Sequence, residues 1–189
     1  MLYSSKHLLW IGMPGIVLGC SASAPRDDIL ATVRDRGKIC RVNEEPYRMS
    51  DPVAMLCWDY AREKVRQEWA EHRIPMQDTY CFVYTNELAS PTMTSGNGSY
   101  PVGSIVIKEK LKSADSREAE LFTVMRKRAP GYDPDHGDWE YAVVTNGGTE
   151  IVERGKLQRC IECHDNYKET DYVTREYLRP HPVPTVHGY

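Results

Sequence analysis

Cys160, Cys163 and His164 stand together in the stretch CIECHDNY, close to the end of a 189-residue sequence. On a helical turn, residues three apart share a face, so both sulfurs can reach the two vinyl groups of one haem. The adjacent imidazole can then ligate the iron from the same side, and the C-x-x-C-H pattern reads as c-type haem attachment. Two other chemistries use these residue types. A redox dithiol needs its Cys-x-x-Cys at the start of a helix after an early strand, whereas here the pair follows every strand-like segment. A zinc site needs four ligands, and without a second cysteine pair these would have to include His136, His181 or His187. Ordinary electron-transfer cytochromes c carry the motif near the N-terminus and take a second axial ligand from a methionine downstream. No methionine follows Met125 in this chain. His181 and His187 remain as candidate sixth ligands, as do Met49, Met93 and Met125, although methionine serves more often to fill a core. The reading is a five-coordinate iron with one open face, to which a small molecule can bind.

Positioning such a group requires a rigid support, and the pattern upstream supplies one. The segments TYCFVYTN, SIVIKEKL, LFTVMRKR and WEYAVVTN are short, rich in β-branched and aromatic residues, and separated by Gly, Pro, Asn and Asp; they read as strands. Asn146-Gly147-Gly148, before TEIVE, is a hairpin signal and predicts antiparallel pairing. Before the strands, PRDDILATVRDRG places Ile29, Leu30 and Val33 on one helical face and stops at Gly37. SDPVAMLCWDYAREKVRQEWAEHR predicts a second helix, capped by Ser50 or Asp51 with Pro52 at its first position. Helices followed by strands, without βαβ alternation, predict an α+β fold, an antiparallel sheet with flanking helices. The tail RPHPVPTVHGY is Pro-rich and reads as extended.

The first residues have a different character. Lys6 precedes the apolar run LLWIGMPGIVLG and then Cys20 with small polar residues, the order of an export signal. About twelve apolar residues are too few for a bilayer-spanning helix, which needs about twenty. Val17-Leu18-Gly19-Cys20 resembles a bacterial lipobox with Cys20 as the lipidated residue; the alternative is a cleaved secretory peptide. Both place the mature protein outside the cytoplasm, in the periplasm, and the lipobox adds a membrane anchor. Outside the cytoplasm thiols oxidise unless engaged. Cys40 and Cys57 then form either a disulfide, stabilising by roughly 3 kcal/mol, or two buried thiols. Cys81, within a strand-like segment, reads as a small buried hydrophobe. With 41% hydrophobic and 27% charged residues and a net charge of -3, the chain has the composition of one globular domain and lacks the basic stripe that binds nucleic acid. The expected organisation is an export segment over 1–20, a helical part over 21–76 and a haem domain over 77–189.

From Thr79 to Leu178 the chain resembles the cytochrome P-460 family, through TYCFVYTNE, YPVGSIVIKEKL, LFTVMRKRAPGYDPDHGDWEYAVV and CIECHDNYKETDYVTREYL. The resemblance implies an exported, usually dimeric protein with one haem c between an antiparallel sheet and C-terminal helices. It implies Cys160 and Cys163 as thioether anchors and His164 as the proximal ligand. In hydroxylamine-oxidising members a strand lysine bonds through its side-chain nitrogen to a meso carbon of the haem, and the match falls on Lys108. The related cytochromes c-prime-beta lack that bond and bind nitric oxide or carbon monoxide. Read without the resemblance, Lys108 is one of several charges, with Glu109, Lys110 and Lys112, at a solvated strand end.

Two departures from the hydroxylamine-oxidising pattern stand out. TYCFVYTN lacks the arginine that those members carry in the first of these strands. Their distal carboxylate aligns with Thr123, which cannot take up protons at neutral pH as a positioned base would. Glu120, Asp138 and Glu140 are the candidate replacements, each also readable as a solvated strand-end charge. The expected activity is therefore redox chemistry on, or binding of, a small nitrogen compound, with a periplasmic electron-transfer protein as partner; the alternative is a gas-binding or electron-transfer cytochrome. An acyl anchor of several chains holds firmly where a single chain binds only marginally. Full-length protein expressed in a Gram-negative host should accordingly fractionate with membranes, and Cys20→Ser should release it. Wild-type protein already in the soluble periplasm, unchanged by the substitution, would leave simple cleavage as the reading.

Overall fold

The computed structural model describes residues 29–49, 79–145 and 147–179. Among these residues seven strands form one sheet: β1 (Cys40–Arg41), β2 (Tyr47–Met49), β3 (Thr79–Thr85), β4 (Ile105–Leu111), β5 (Ala119–Lys127), β6 (Trp139–Thr145) and β7 (Glu150–Gly155). The strand order is β1-β3-β4-β5-β6-β7, with β2 also on β3, and each of these pairings is antiparallel. Three α-helices accompany it: α1 (Ile29–Arg34), α2 (Ser90–Ser95) and α3 (Gln158–His164). The fold is α+β, as the order of segments predicts. β1 and β2 fall in the part expected to be helical, where no period-2 run is long enough to announce them. The predicted second helix lies outside the described residues. α2, in ASPTMTSG, has the Ser, Thr and Pro of a loop; Pro91 in its first turn and left-handed Gly96 at its end bound it.

The strand register sorts side chains into two layers. On one face Thr85, Val106, Met125 and Tyr141 lie in a row across the sheet, and Val83, Lys108, Thr123 and Val143 form the next. On the other face the row is Tyr84, Ile107, Val124 and Ala142. Each face has its own core: one joins Ile29 and Val33 of α1 to Ile107, Phe122 and Val144, and the other joins Val83, Val106 and Trp139 to Ile161 and Val173 of the C-terminal segment. Both faces of the central strands are thereby buried, and β4 loses the alternation of a half-exposed strand.

Burial of both faces also changes the status of the strand charges. Glu109 and Lys110 are each 5% exposed, not solvated. Glu109 accepts hydrogen bonds from Arg36 at 2.5 Å and from the Tyr84 hydroxyl at 2.7 Å. Lys110 pairs with Glu120 at 3.2 Å, where a β-bulge between Lys110 and Leu111 leaves Glu120 as the extra residue. Glu140, expected as a surface charge, is buried and holds Arg126 at 2.7 Å and Arg154 at 2.8 Å. Burial opposes its ionisation, but the hydrogen bonds from Arg154 and Arg126 outweigh that and keep its carboxyl below the usual range. Removing one partner of a buried pair leaves an uncompensated charge, which costs about 3–5 kcal/mol.

Cys40 is disulfide-bonded, and its expected partner Cys57 lies outside the described residues. Cys81 is a fully buried thiol, as expected. The β6–β7 connection carries Gly147 and Gly148 at φ values of 65° and 95°. A Cβ on Gly148 would stand 3.0 Å from the Val33 side chain of α1, whereas one on Gly147 would meet nothing within 4 Å. Gly148→Ala should therefore lower stability by about 1–3 kcal/mol, and by more than Gly147→Ala, in urea unfolding. Equal losses would show that α1 does not pack on the hairpin as described.

Candidate haem site

The motif helix α3 follows Leu157, whose extended backbone ends the connection from β7 and whose carbonyl accepts the amide hydrogens of Cys160 and Ile161 at 2.9 and 3.0 Å. Ile161 is 5% exposed and enters the core beneath the sheet. Its burial fixes the rotation of the helix, so that Cys160, Cys163 and His164 turn toward a cleft against the sheet face. The cleft is partly open to solvent and its walls are largely apolar, as those of cofactor sites usually are. Its floor is the face carrying Val83, Val106, Met125 and Val143; Lys108 and Thr123 project from the same floor, and Val173, Thr174 and Tyr177 close it from the C-terminal side.

The structure thus brings Lys108, Thr123, Cys160, Cys163 and His164 to one cleft. Lys108 and Thr123 are directly opposed on β4 and β5, which puts their Cβ atoms about 5 Å apart. His164 directs Nδ1 at the Tyr172 carbonyl, 2.7 Å away. Such a carbonyl only accepts, so Nδ1 carries the proton and Nε2 is the nitrogen with the lone pair. Burial lowers the pKa of His164 to about 4; the Tyr172 bond works the other way, and the positive charge of Lys108 adds to the lowering. The ring is therefore neutral at pH 7, the form that binds a metal.

Cys160 and Cys163 are thiols, not a disulfide. Two thiols, one imidazole with its outer nitrogen held in the donor role, and largely apolar walls are the donor set and lining that a haem c requires, and the residues present fit it. Cys160 and Cys163 would anchor it, and His164 would hold its iron. A zinc centre finds less support, since no three His, Cys, Asp or Glu side chains converge on one point among the described residues. His136 is engaged in a 3-10 turn with Asp133 at 3.2 Å; His181 and His187 lie outside the described residues.

Of the methionines named as sixth ligands, Met125 lines the cleft, while Met49 and Met93 are buried in the same core cluster without being part of the lining. None of the three candidate replacements for a distal carboxylate is part of the cleft lining. Glu120 is in its ion pair with Lys110, and Glu140 is held among the arginines on the opposite face. Asp138 accepts the amide hydrogens of Gly131 and Asp133 at 3.1 and 2.7 Å, which organises the β5–β6 loop.

Two side chains in the cleft were not singled out by sequence. Tyr141, 2% exposed, has its ring centroid 5.4 Å from that of His164. Its hydroxyl finds no hydrogen-bond partner among the described residues, and burial pushes its pKa far up, which keeps it protonated. Arg159 lines the cleft while its guanidinium grips Glu153 of β7 at 2.5 and 2.7 Å. Strand alternation could have found Tyr141, which shares a face with Trp139 and Val143. Arg159 gives no such signal, because its place beside Cys160 depends on where α3 docks.

None of the curated proteins compared with the chain matches it. The Cytochrome P460 family model matches residues 58–175, from Trp58, upstream of the Thr79 at which the resemblance begins, through β3 to β7 and the whole Cys-x-x-Cys-His helix to Arg175. With well over half of its length covered by that match, and with the haem donors gathered in one cleft, the chain belongs to the cytochrome P460 family of haem c proteins.

Proposed function

We propose that the protein is an exported mono-haem cytochrome that performs redox chemistry on a small nitrogen compound, hydroxylamine or nitric oxide, at an iron held by His164. The reading is carried by one observation: Lys108, Thr123 and His164 share a single largely apolar cleft with Cys160 and Cys163. Haem, when bound, supplies the redox-active iron and a coordination position for the nitrogen compound. Cys160 and Cys163 fix its place through thioether bonds. His164, neutral and oriented by the Tyr172 carbonyl, supplies the ligand nitrogen. Lys108 on β4 is the residue for a bond to a meso carbon, by which it would alter the electronics of the ring.

Thr123 is opposite Lys108, and in this position it donates or accepts a hydrogen bond but does not remove a proton at neutral pH. Since the described residues of the cleft include no carboxylate, proton removal from bound hydroxylamine is poorly served and the reaction is slow. The same feature favours the second reading, a protein that binds nitric oxide or another gas without turning it over, or that only transfers electrons. A lipid anchor at Cys20, a periplasmic electron-transfer partner and a homodimer complete the proposal.

Mass spectrometry of protein produced with haem-maturation machinery should show one haem added, and Cys160→Ala with Cys163→Ala should abolish it. A colourless wild type carrying zinc would sink the proposal. A Lys108 bond to a meso carbon would interrupt porphyrin conjugation, so the reduced protein should have a red-shifted, broadened Soret band. Digestion should then join the Lys108 peptide to the Cys160–Cys163 peptide through one haem, and Lys108→Leu should restore an ordinary spectrum with the thioethers intact. Thr123→Glu should speed hydroxylamine oxidation, since it places a carboxylate on the floor of the cleft. An ordinary c-type spectrum and no Lys108 adduct in the wild type would eliminate the cross-link and leave gas binding as the function.

A further inference from the structure

The carbonyl that orients His164 belongs to an unusual piece of backbone. Asp171 and Tyr172 are consecutive non-glycine residues with positive φ, 52° and 66°, a region that side chains with a Cβ enter seldom and keep only where their surroundings enforce it. The enforcement is visible. Lys127, the last residue of β5, places Nζ 2.6 Å from both carboxylate oxygens of Asp171. The Tyr100 amide donates to Asp171 Oδ2 at 2.7 Å, and Trp139 Nε1 donates to the Asp171 carbonyl at 2.9 Å. The Tyr172 amide donates to the Tyr167 carbonyl at 2.7 Å. Lys127 and Trp139 are themselves cross-strand partners at one end of the β5–β6 pair, and Lys127 Nζ lies 5.0 Å from the Trp139 ring centroid. Gly137 supports the corner from beneath: a Cβ there would come within 2.5 Å of the Tyr172 ring and 3.1 Å of Asp171 Oδ1.

The Lys127 and Asp171 side chains are only 11% and 10% exposed, and neither is part of the cleft lining. A buried pair of this kind needs several satisfied hydrogen bonds to be tolerated, and here every one of them converges on the residue next to Tyr172. We propose that the Asp171–Lys127 pair is a positioning device for the haem ligand: it clamps the left-handed corner so that the Tyr172 carbonyl meets His164 Nδ1, and thereby sets the donor strength of His164 toward iron. The inference rests on the proposed ligation by His164. A strong Nδ1–H···O=C bond gives the imidazole more anionic character, which strengthens its bond to iron and favours the oxidised state.

The test uses the haem-loaded protein and reads the iron–histidine stretching frequency of the ferrous form by resonance Raman, together with the midpoint potential. Asp171→Asn removes the charge but retains a side chain that tolerates the left-handed region; Lys127→Met removes the partner. Both should lower the frequency, and Lys127→Arg should return it close to the wild-type value. A pair that acted only by its charges would leave the frequency unchanged and shift the potential in opposite directions, up for Asp171→Asn and down for Lys127→Met; that result overturns the inference while the ligation stands. A wild-type iron–histidine band that survives His164→Ala overturns the ligation itself and the positioning role with it.

Discussion

The register of β4 against β5 is the constraint on which the site depends. It sets Lys108 directly across from Thr123, continues the row to Val83 and Val143, and keeps all four on the face that receives the motif helix. Side chains alternate between faces with a period of two, so a slip of one residue would send Lys108 and Thr123 into the core beneath α1 and bring Ile107 and Val124 into the cleft. The register is held from both sides at once, because each face has its own apolar cluster. The buried ion pairs add a penalty for slippage: Glu109 and Glu140 would lose Arg36, Tyr84, Arg126 and Arg154 together, and an ionised carboxylate without its partners is costly in the interior.

The wall facing the sheet is made differently. α3 has two turns at most, too short to be stable alone, and it is held by Ile161 in the core and Arg159 on Glu153 of β7. The chain beyond it runs through 3-10 turns with little regular hydrogen bonding of its own. It is tied back to the sheet side chain by side chain. Asp171 meets Lys127 and Trp139, while Arg175 reaches the carbonyls of Met93 and Thr94 at the end of α2 at 2.7 and 2.5 Å. One wall of the cleft is thus rigid by its ladder, and the other by a few polar anchors. The anchors bear directly on His164, since the carbonyl that fixes its tautomer belongs to this irregular segment.

Much of this was legible in the sequence, for reasons that can be stated residue by residue. The four long strands declare themselves through β-branched and aromatic runs bounded by turn residues, and Asn146-Gly147-Gly148 announces the hairpin. Cys160, Cys163 and His164 are adjacent in sequence, so their spacing alone carries their chemistry. Lys108 and Thr123 were reached through family resemblance, and their direct opposition depends on strand register, which no local pattern contains. The buried Glu109, Lys110 and Glu140 were misread as solvated because a charged residue on a strand has no sequence mark for the partner it meets across the sheet. The corner at Asp171 and Tyr172 was invisible for a similar reason: Asp-Tyr carries none of the glycine that usually marks a positive φ, and what enforces it comes from β5, β6 and the segment before β4.

These two kinds of legibility bear on function differently. The residues whose types and spacing suit haem attachment and ligation are local in sequence, so a short motif declares them. The residues proposed to tune the iron are distributed: Lys108 and Thr123 come from two strands, and the orientation of His164 comes from a carbonyl eight residues on, in a corner tied to Lys127. A threonine opposite the lysine leaves the floor of the cleft with a cation and a hydroxyl and, among its described residues, no carboxylate. On the proposed function, such a floor would orient a neutral nitrogen ligand by hydrogen bonding and would leave proton removal to a group outside those residues.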